Sequence, residues 1–224
     1  PVVYEQPIAN PPPGLYKIGY DPIRQDEGSS LASIIVFKSK HVGTQHYDIV
    51  VAEYIGRLET PSDIDRIAEM FADLYGTKIM YENEVTGVKT YFQRIKRLHL
   101  LAAQPDRVIS KNIKSSKVAR VYGCHMNGQL KDAGERYLKE WLLTVYDFDE
   151  HGNKISVIDK IYSVRILEEL IAYNRTGNFD AVSALFMCMF QVQEEALGKT
   201  FGSEDQHKSA KKLLEMRGRM YKKH

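Results

Sequence analysis

The feature that most constrains the fold is a change of hydrophobic period early in the chain. Three apolar, β-branched segments come first, at 15–21, 31–37 and 47–55, with short polar stretches between them. Segments of this length and composition are typical of strands, and short connections favour antiparallel pairing. The apolar residues then recur at helical spacing over 60–76. The chain therefore predicts a sheet that begins as an antiparallel meander and continues through helices.

The segments after the meander alternate between helix and strand. Thr60 is a predicted N-cap, Pro61 occupies the first helical position, and Gly76 stops the helix. The short strand Lys78–Glu82 follows, and then a second helical pattern that continues to Leu101. This order predicts parallel pairing through right-handed crossovers. The remaining predicted elements are a brief strand at 107–110, helices at 133–143, 164–173 and 179–197, and a hairpin turn at 147–153.

Composition excludes several classes of protein. With 43% hydrophobic and 27% charged residues, the chain of 224 residues has a globular composition and is not expected to be disordered. It contains no apolar run near the roughly 20 residues that span a bilayer. Cys124 and Cys188 lie far apart, so neither a C-x-x-C zinc site nor a disulfide framework is expected. We expect a protein of the cell interior.

The chain divides into three parts by composition. Residues 1–14 are proline-rich and predict a linker or extended arm, 15–197 form one α/β domain, and 198–224 form a basic tail. The tail could also dock on a partner. Because the chain starts at Pro1 rather than Met, we expect a piece cut from a longer polypeptide.

Three carboxylates stand at corresponding ends of predicted elements. Asp21 ends the first strand, Glu82 ends the fourth, and Asp180 opens the last long helix. A single acid in such a position usually faces solvent or caps a helix. In a sheet that pairs the first strand with the fourth, however, the first two acids lie side by side. A helix packed across that sheet brings the third to the same edge.

Carboxylates grouped in this way suit phosphodiester hydrolysis. Two divalent ions roughly 3.5–4 Å apart can hold both the attacking and the leaving oxygen. Mg²⁺ and Mn²⁺ prefer carboxylate ligands, and the dipole of a helix favours an anion at its N-terminus. The candidate catalytic and metal-binding residues are therefore Asp21, Glu82 and Asp180, with two Mg²⁺ or Mn²⁺ ions as the expected cofactor.

Three motifs in this chain resemble those of the nuclease domain of the terminase large subunit of tailed bacteriophages, in the RNase H-like or RuvC-like superfamily. The first is the hairpin of Ile18–Asp21 with Leu31–Val36, the second is Tyr81–Gly87, and the third is Asn178–Leu185. The resemblance covers 15–197 and implies an RNase H-like mixed central sheet, three antiparallel strands followed by parallel strands, flanked by helices. It also implies an endonuclease that cuts concatemeric double-stranded viral DNA during genome packaging.

Two departures from that pattern bear on the metal site. Some members of the family carry a further acid in the first hairpin where this chain has Ser29, and Asp26 or Glu27 could take its place. The closing motif often has two successive acids, the first of which is Phe179 here. The number of bound ions stays open on these grounds.

The resemblance also implies partners and a location. No phosphate-binding loop is present, since the Gly198-Lys199-Thr200 sequence has Gln193 where such a loop needs glycine. An ATPase domain is therefore expected upstream in the parent chain. The portal and the small terminase subunit are the implied protein partners, and the cytoplasm of an infected bacterium is the implied location.

A basic, polar segment is the candidate DNA-binding element. Lysine, arginine and hydroxyl side chains hold phosphates without reading the base sequence. A solvated surface loop is the competing interpretation. The candidate residues are Lys111, Lys114, Ser115, Lys117 and Arg120.

Two other functions remain open from the sequence. A RuvC-like junction resolvase or recombinase would use the same fold and the same ligands. A non-catalytic module that binds DNA or the portal would keep the fold with a vestigial site.

Overall fold

A five-stranded mixed sheet forms the centre of the computed structural model, which describes residues 1–23, 31–41, 47–84, 86–112 and 122–198. Its strands are β1 (Val2–Val3), β2 (Tyr16–Asp21), β3 (Ala32–Lys38), β4 (Ile49–Gly56) and β5 (Ile79–Tyr81), in the order β1-β4-β3-β2-β5. β2, β3 and β4 form the antiparallel meander, and β5 lies parallel to β2. This order confirms the predicted RNase H-like sheet.

Helices cover both faces of the sheet. They are α1 (Pro61–Tyr75), α2 (Gly87–Arg94), α3 (Asp106–Asn112), α4 (Gly128–Leu142), α5 (Val164–Ala172) and α6 (180–198). The predicted boundaries of α1 are confirmed, because the Asp63 N–H donates to the Thr60 hydroxyl at 3.2 Å and Gly76 is left-handed with φ 61°. The predicted hairpin is formed by β6 (Val145–Phe148) and β7 (Lys154–Ser156).

The two faces of the sheet bury separate apolar cores. Along β2, Tyr16, Ile18 and Tyr20 pack in the core shared with α1 and α2. The alternate positions face the other core, to which α4, α5 and α6 contribute. Gly19 is one of these, and a Cβ atom there would lie only 1.9 Å from the carbonyl oxygen of Ala184. The absence of a side chain at Gly19 therefore lets α6 lie directly on β2.

The strand predicted at 107–110 is wrong, since these residues belong to α3. The carboxylate of Glu194 accepts hydrogen bonds from the backbone N–H groups of Arg107 and Val108, each at 3.0 Å. A carboxylate from α6, far along the chain, thus accepts hydrogen bonds from the free N–H groups in the first turn of α3. No local sequence pattern predicts this cap.

The predicted extent of the second helix is also wrong. The helix α2 ends at Arg94, because Lys96 adopts a left-handed conformation with φ 59°. A 3₁₀ turn follows at Leu98–Leu100, and Leu101 is buried beyond it. Apolar residues continue at helical spacing because both pieces pack on the same core.

Within the opening segment, Val2 and Val3 pair with Glu53 and Ala52, so that β1 forms one edge of the sheet. Within the described ranges, no helix combines the length and the apolar character that crossing a membrane requires.

Candidate metal centre

Asp21 and Glu82 lie side by side at the carboxyl ends of β2 and β5. The parallel register pairs Tyr20 with Tyr81, and the N–H of Glu82 donates to the carbonyl oxygen of Tyr20 at 3.0 Å. Paired strands are about 4.8 Å apart, and residues in register point to the same face. Both acids are buried, with 4% and 2% of their surface exposed. The structure therefore brings these two predicted site residues together.

Asp180 reaches the same edge from the first turn of α6. One of its oxygens, Oδ2, accepts the N–H of Leu31 at 2.9 Å and the side-chain amide of Asn178 at 3.2 Å. Leu31 immediately precedes β3, and the register places Ser33 opposite Asp21. The third predicted acid is thus anchored at the end of the sheet where the other two stand, and is 8% exposed.

The direction of α6 explains this position. Near the far end of the helix Glu195 pairs with Lys17, and the side-chain amide of Gln191 donates to the carbonyl oxygen of Ile18 at 2.8 Å. Gly19 then meets Ala184 in the middle of the packed stretch. Because α6 runs antiparallel to β2, its N-terminus arrives at the end where Asp21 stands.

Glu169 on α5 fixes the start of α6, and sequence analysis missed it. Its carboxylate accepts the N–H groups of Ala181 at 2.9 Å and Val182 at 3.3 Å. Burial raises the pKa of Glu169, the negative charge of Asp180 raises it further, and the two N–H donors oppose the rise. An acid in an amphipathic helix normally faces solvent, so the sequence gives no signal of this role.

Ser33 is a second residue that sequence analysis missed. It stands across from Asp21 in the register of β2 and β3 and has no exposed surface. Among the atoms of the described residues, its hydroxyl oxygen has no hydrogen-bond partner.

A further buried acid, Asp65, lies on the opposite face of the sheet from Asp21 and Glu82. The hydroxyl of Tyr20 donates to Asp65 of α1 at 2.9 Å. Burial raises the pKa of Asp65 to about 6, against the lowering effects of that hydrogen bond and of Arg94. This pair belongs to the opposite face and is not part of the carboxylate edge.

The donor chemistry of the edge suits a hard divalent cation. Asp21 and Glu82 offer carboxylate oxygens on one face of the sheet, Asp180 offers a third carboxylate at the same end of the sheet, and Ser33 adds a neutral oxygen across from Asp21. In the described part of the chain, no three histidine, cysteine or acidic side chains are already grouped closely enough to hold a metal ion. The acids therefore share an edge without forming a closed cage.

Of the candidate DNA-binding residues, Lys111 falls within the described ranges. Lys111 is exposed near the end of α3, where it lines a cleft with Leu197, at the opposite end of α6 from Asp180. It is therefore not next to the acids. Lys114, Ser115, Lys117 and Arg120 lie outside the described residues, as do the candidate extra ligands Asp26 and Glu27.

Comparisons with known proteins gave matches among solved structures only. No family model matches the sequence, and no curated protein matches it. The large terminase nuclease from thermophilic phage G20c with bound zinc is 15% identical over 83% of this chain and 84% of that chain, with a TM-score of 0.46. The same nuclease with bound magnesium is 14% identical over 84% and 85%, with a TM-score of 0.37. These structures are of the class that the sequence motifs resemble.

Proposed function

We propose that this chain is the nuclease domain of a terminase large subunit and hydrolyses double-stranded viral DNA in a metal-dependent reaction. The observation that carries the proposal is that Asp21 and Glu82 stand side by side on one face of the sheet, while Asp180 binds the N–H of Leu31 at the same end of the sheet. The three acids come from two strands and a helix that are far apart in sequence. Neighbouring carboxylates repel, and a divalent cation is the charge that would offset that repulsion.

The three acids are held in position by different contacts. Asp21 and Glu82 are held by the backbone pairing of adjacent strands, which fixes the separation of their Cα atoms. Asp180 is held by the N–H of Leu31, while Glu169 holds the turn of helix that carries it. Two Mg²⁺ or Mn²⁺ ions bound by these groups would polarise the phosphate and supply a nucleophilic water. The protein's own contribution is thus a rigid placement of three anionic side chains.

The substrate would be held through its phosphates. Lys111 is exposed and free to contact DNA from α3, and the proposal assigns the same role to Lys114, Ser115, Lys117 and Arg120. Contacts of this kind neutralise charge without selecting a base sequence, so cleavage without strong sequence preference is expected. An ATPase domain upstream, the portal and the small terminase subunit complete the proposed context.

The proposal is tested by plasmid cleavage with Mg²⁺ or Mn²⁺, using variants that remove one charge and preserve shape. Asp21→Asn, Glu82→Gln and Asp180→Asn are each expected to abolish nicking and linearisation and to weaken Mn²⁺ binding in calorimetry. Glu150→Gln, in the exposed β6–β7 turn, removes a charge away from the acids and should cleave normally. Melting temperatures establish that each variant is folded.

Cleavage that persists in all three site variants would contradict the proposal. Preference for a four-way junction over plain duplex would instead favour a RuvC-like resolvase or recombinase. DNA binding with neither metal binding nor cleavage would favour a non-catalytic module.

A further inference from the structure

The hydroxyl of Ser33 is buried on the same face as the proposed metal ligands. On β3, Ile35 and Phe37 alternate with Ser33 in register and pack in the core beneath α6. Ser33 points the same way, with no exposed surface and, within the described ranges, no hydrogen-bond partner for its oxygen. An unpaired hydroxyl in such a place is unfavourable, and a residue without the hydroxyl would avoid the penalty.

The surroundings of Ser33 indicate what its partner is. Asp21 lies directly across from it on β2, and directly opposed Cβ atoms are about 4.5–5.5 Å apart. Two residues earlier on the same strand, Leu31 donates its N–H to Asp180. Ser33 is therefore the register partner of one proposed metal ligand and lies two residues from the backbone group that binds another. A water molecule is a suitable partner for its hydroxyl, which can both donate and accept.

We infer that Ser33 is a positioning residue of the metal centre, whose hydroxyl acquires its hydrogen-bond partner when a hydrated divalent cation occupies the site beside Asp21. Mg²⁺ keeps several of its waters in protein sites, and those waters need partners beyond the carboxylates. Ser33 would accept a hydrogen bond from one of them. The inference rests on the proposed metal centre, and it adds a neutral residue that orients the water shell.

The test measures metal affinity and the stability of the metal-free protein in the same variant. Ser33→Ala is expected to weaken Mn²⁺ binding roughly 10- to 100-fold in calorimetry, the usual effect of losing an outer-shell partner. In the presence of a chelator it is expected to raise the Tm by roughly 2–6 °C, because an unpaired buried hydroxyl is removed. Ser33→Cys keeps most of the volume with a weaker hydrogen bond and should also lose affinity.

Ser39 provides a matched control. Its hydroxyl is also buried and, within the described residues, also lacks a hydrogen-bond partner, but it follows the other end of β3. Ser39→Ala should raise the Tm of the metal-free protein as Ser33→Ala does and leave the affinity for Mn²⁺ unchanged.

Two results would overturn the inference. Unchanged Mn²⁺ affinity in Ser33→Ala, with affinity lost in Asp21→Asn, would remove Ser33 from the centre and leave the centre intact. A lower Tm for metal-free Ser33→Ala would show that the hydroxyl is already paired without the cation. If Asp21→Asn also binds Mn²⁺ normally, the proposed function itself fails.

Discussion

The contact between Gly19 and α6 allows a quantitative prediction for Gly19→Ala. A Cβ atom at this position would lie 1.9 Å from the carbonyl oxygen of Ala184 and 2.8 Å from the sulfur of Cys188. Because real Cβ contacts are essentially never shorter than 3.0 Å, the helix must move away from β2 by at least 3.0 − 1.9 = 1.1 Å. The obstacle is backbone, so no rotation of a side chain relieves it.

This displacement should affect stability and cleavage together. Overpacking of a filled core typically destabilises by about 1–3 kcal/mol, and we expect Gly19→Ala near the upper end because backbone must move. Asp180 moves with α6, and a misplacement of about 1 Å at a reacting centre can lower a rate about 100-fold. Urea denaturation measures the first effect. Plasmid cleavage, at a temperature where the variant is fully folded, measures the second.

Gly128→Ala is the control for this experiment. Gly128 begins α4, and alanine is a better helix former than glycine. Among the described residues, no atom outside its chain neighbours and its own helix backbone lies within 4 Å of the Cβ position. The stability of this variant should equal or slightly exceed that of the wild type, with unchanged cleavage. Wild-type stability in Gly19→Ala would refute the close-packing argument. Reduced stability with wild-type cleavage would refute the claim that the packing of α6 on Gly19 positions Asp180 for cleavage.

Further predictions concern a buried charge and two helix caps. The raised pKa of Asp65 means that stability is lost as pH rises from 3.8 towards about 6, by roughly (6 − 3.8) × 1.36 ≈ 3 kcal/mol. Asp65→Asn should therefore gain about that much over the wild type between pH 4 and 8 in urea denaturation, and a constant difference would contradict this. Asn127→Ala should lower stability by about 1 kcal/mol with normal cleavage, because the side chain accepts the N–H of Leu130 at 3.0 Å; an unchanged urea midpoint would refute that cap. Glu169→Ala should lower both stability and cleavage, whereas Glu168→Ala, at the exposed neighbouring position, should change neither. Equal effects of the two substitutions would contradict the role of Glu169 in capping α6.

The order of the sheet could be predicted because its signals are local. The β-branched segments and the short connections between them predict the meander, and Thr60, Pro61 and Gly76 mark the boundaries of α1. Parallel pairing of β2 with β5 follows from the intervening helix. Placing Asp21 and Glu82 as neighbours needed nothing beyond this topology.

The rest depended on contacts between residues far apart in sequence. Glu194 of α6 caps the first turn of α3, a helix whose local sequence pattern predicts a strand. The helix α2 ends because Lys96 adopts a left-handed backbone conformation. Glycine is the residue that normally adopts this conformation, so a lysine does not predict the end of a helix. Ser33 and Glu169 gain their significance only from what packs against them, and no spacing or motif indicates it.

The position of Asp180 on the last described helix has a consequence for synthesis of the domain. A chain emerging from the ribosome contains Asp21 and Glu82 long before α6 exists, and the strands that carry them can pair as soon as β5 is available. The third acid, however, arrives only when 180–198 can settle on Gly19. A nascent chain that has not yet reached α6 can thus form most of the sheet while it lacks the third proposed metal ligand. If the proposed function holds, such a chain cannot yet cleave DNA, and cleavage begins only once α6 has been synthesised and packed.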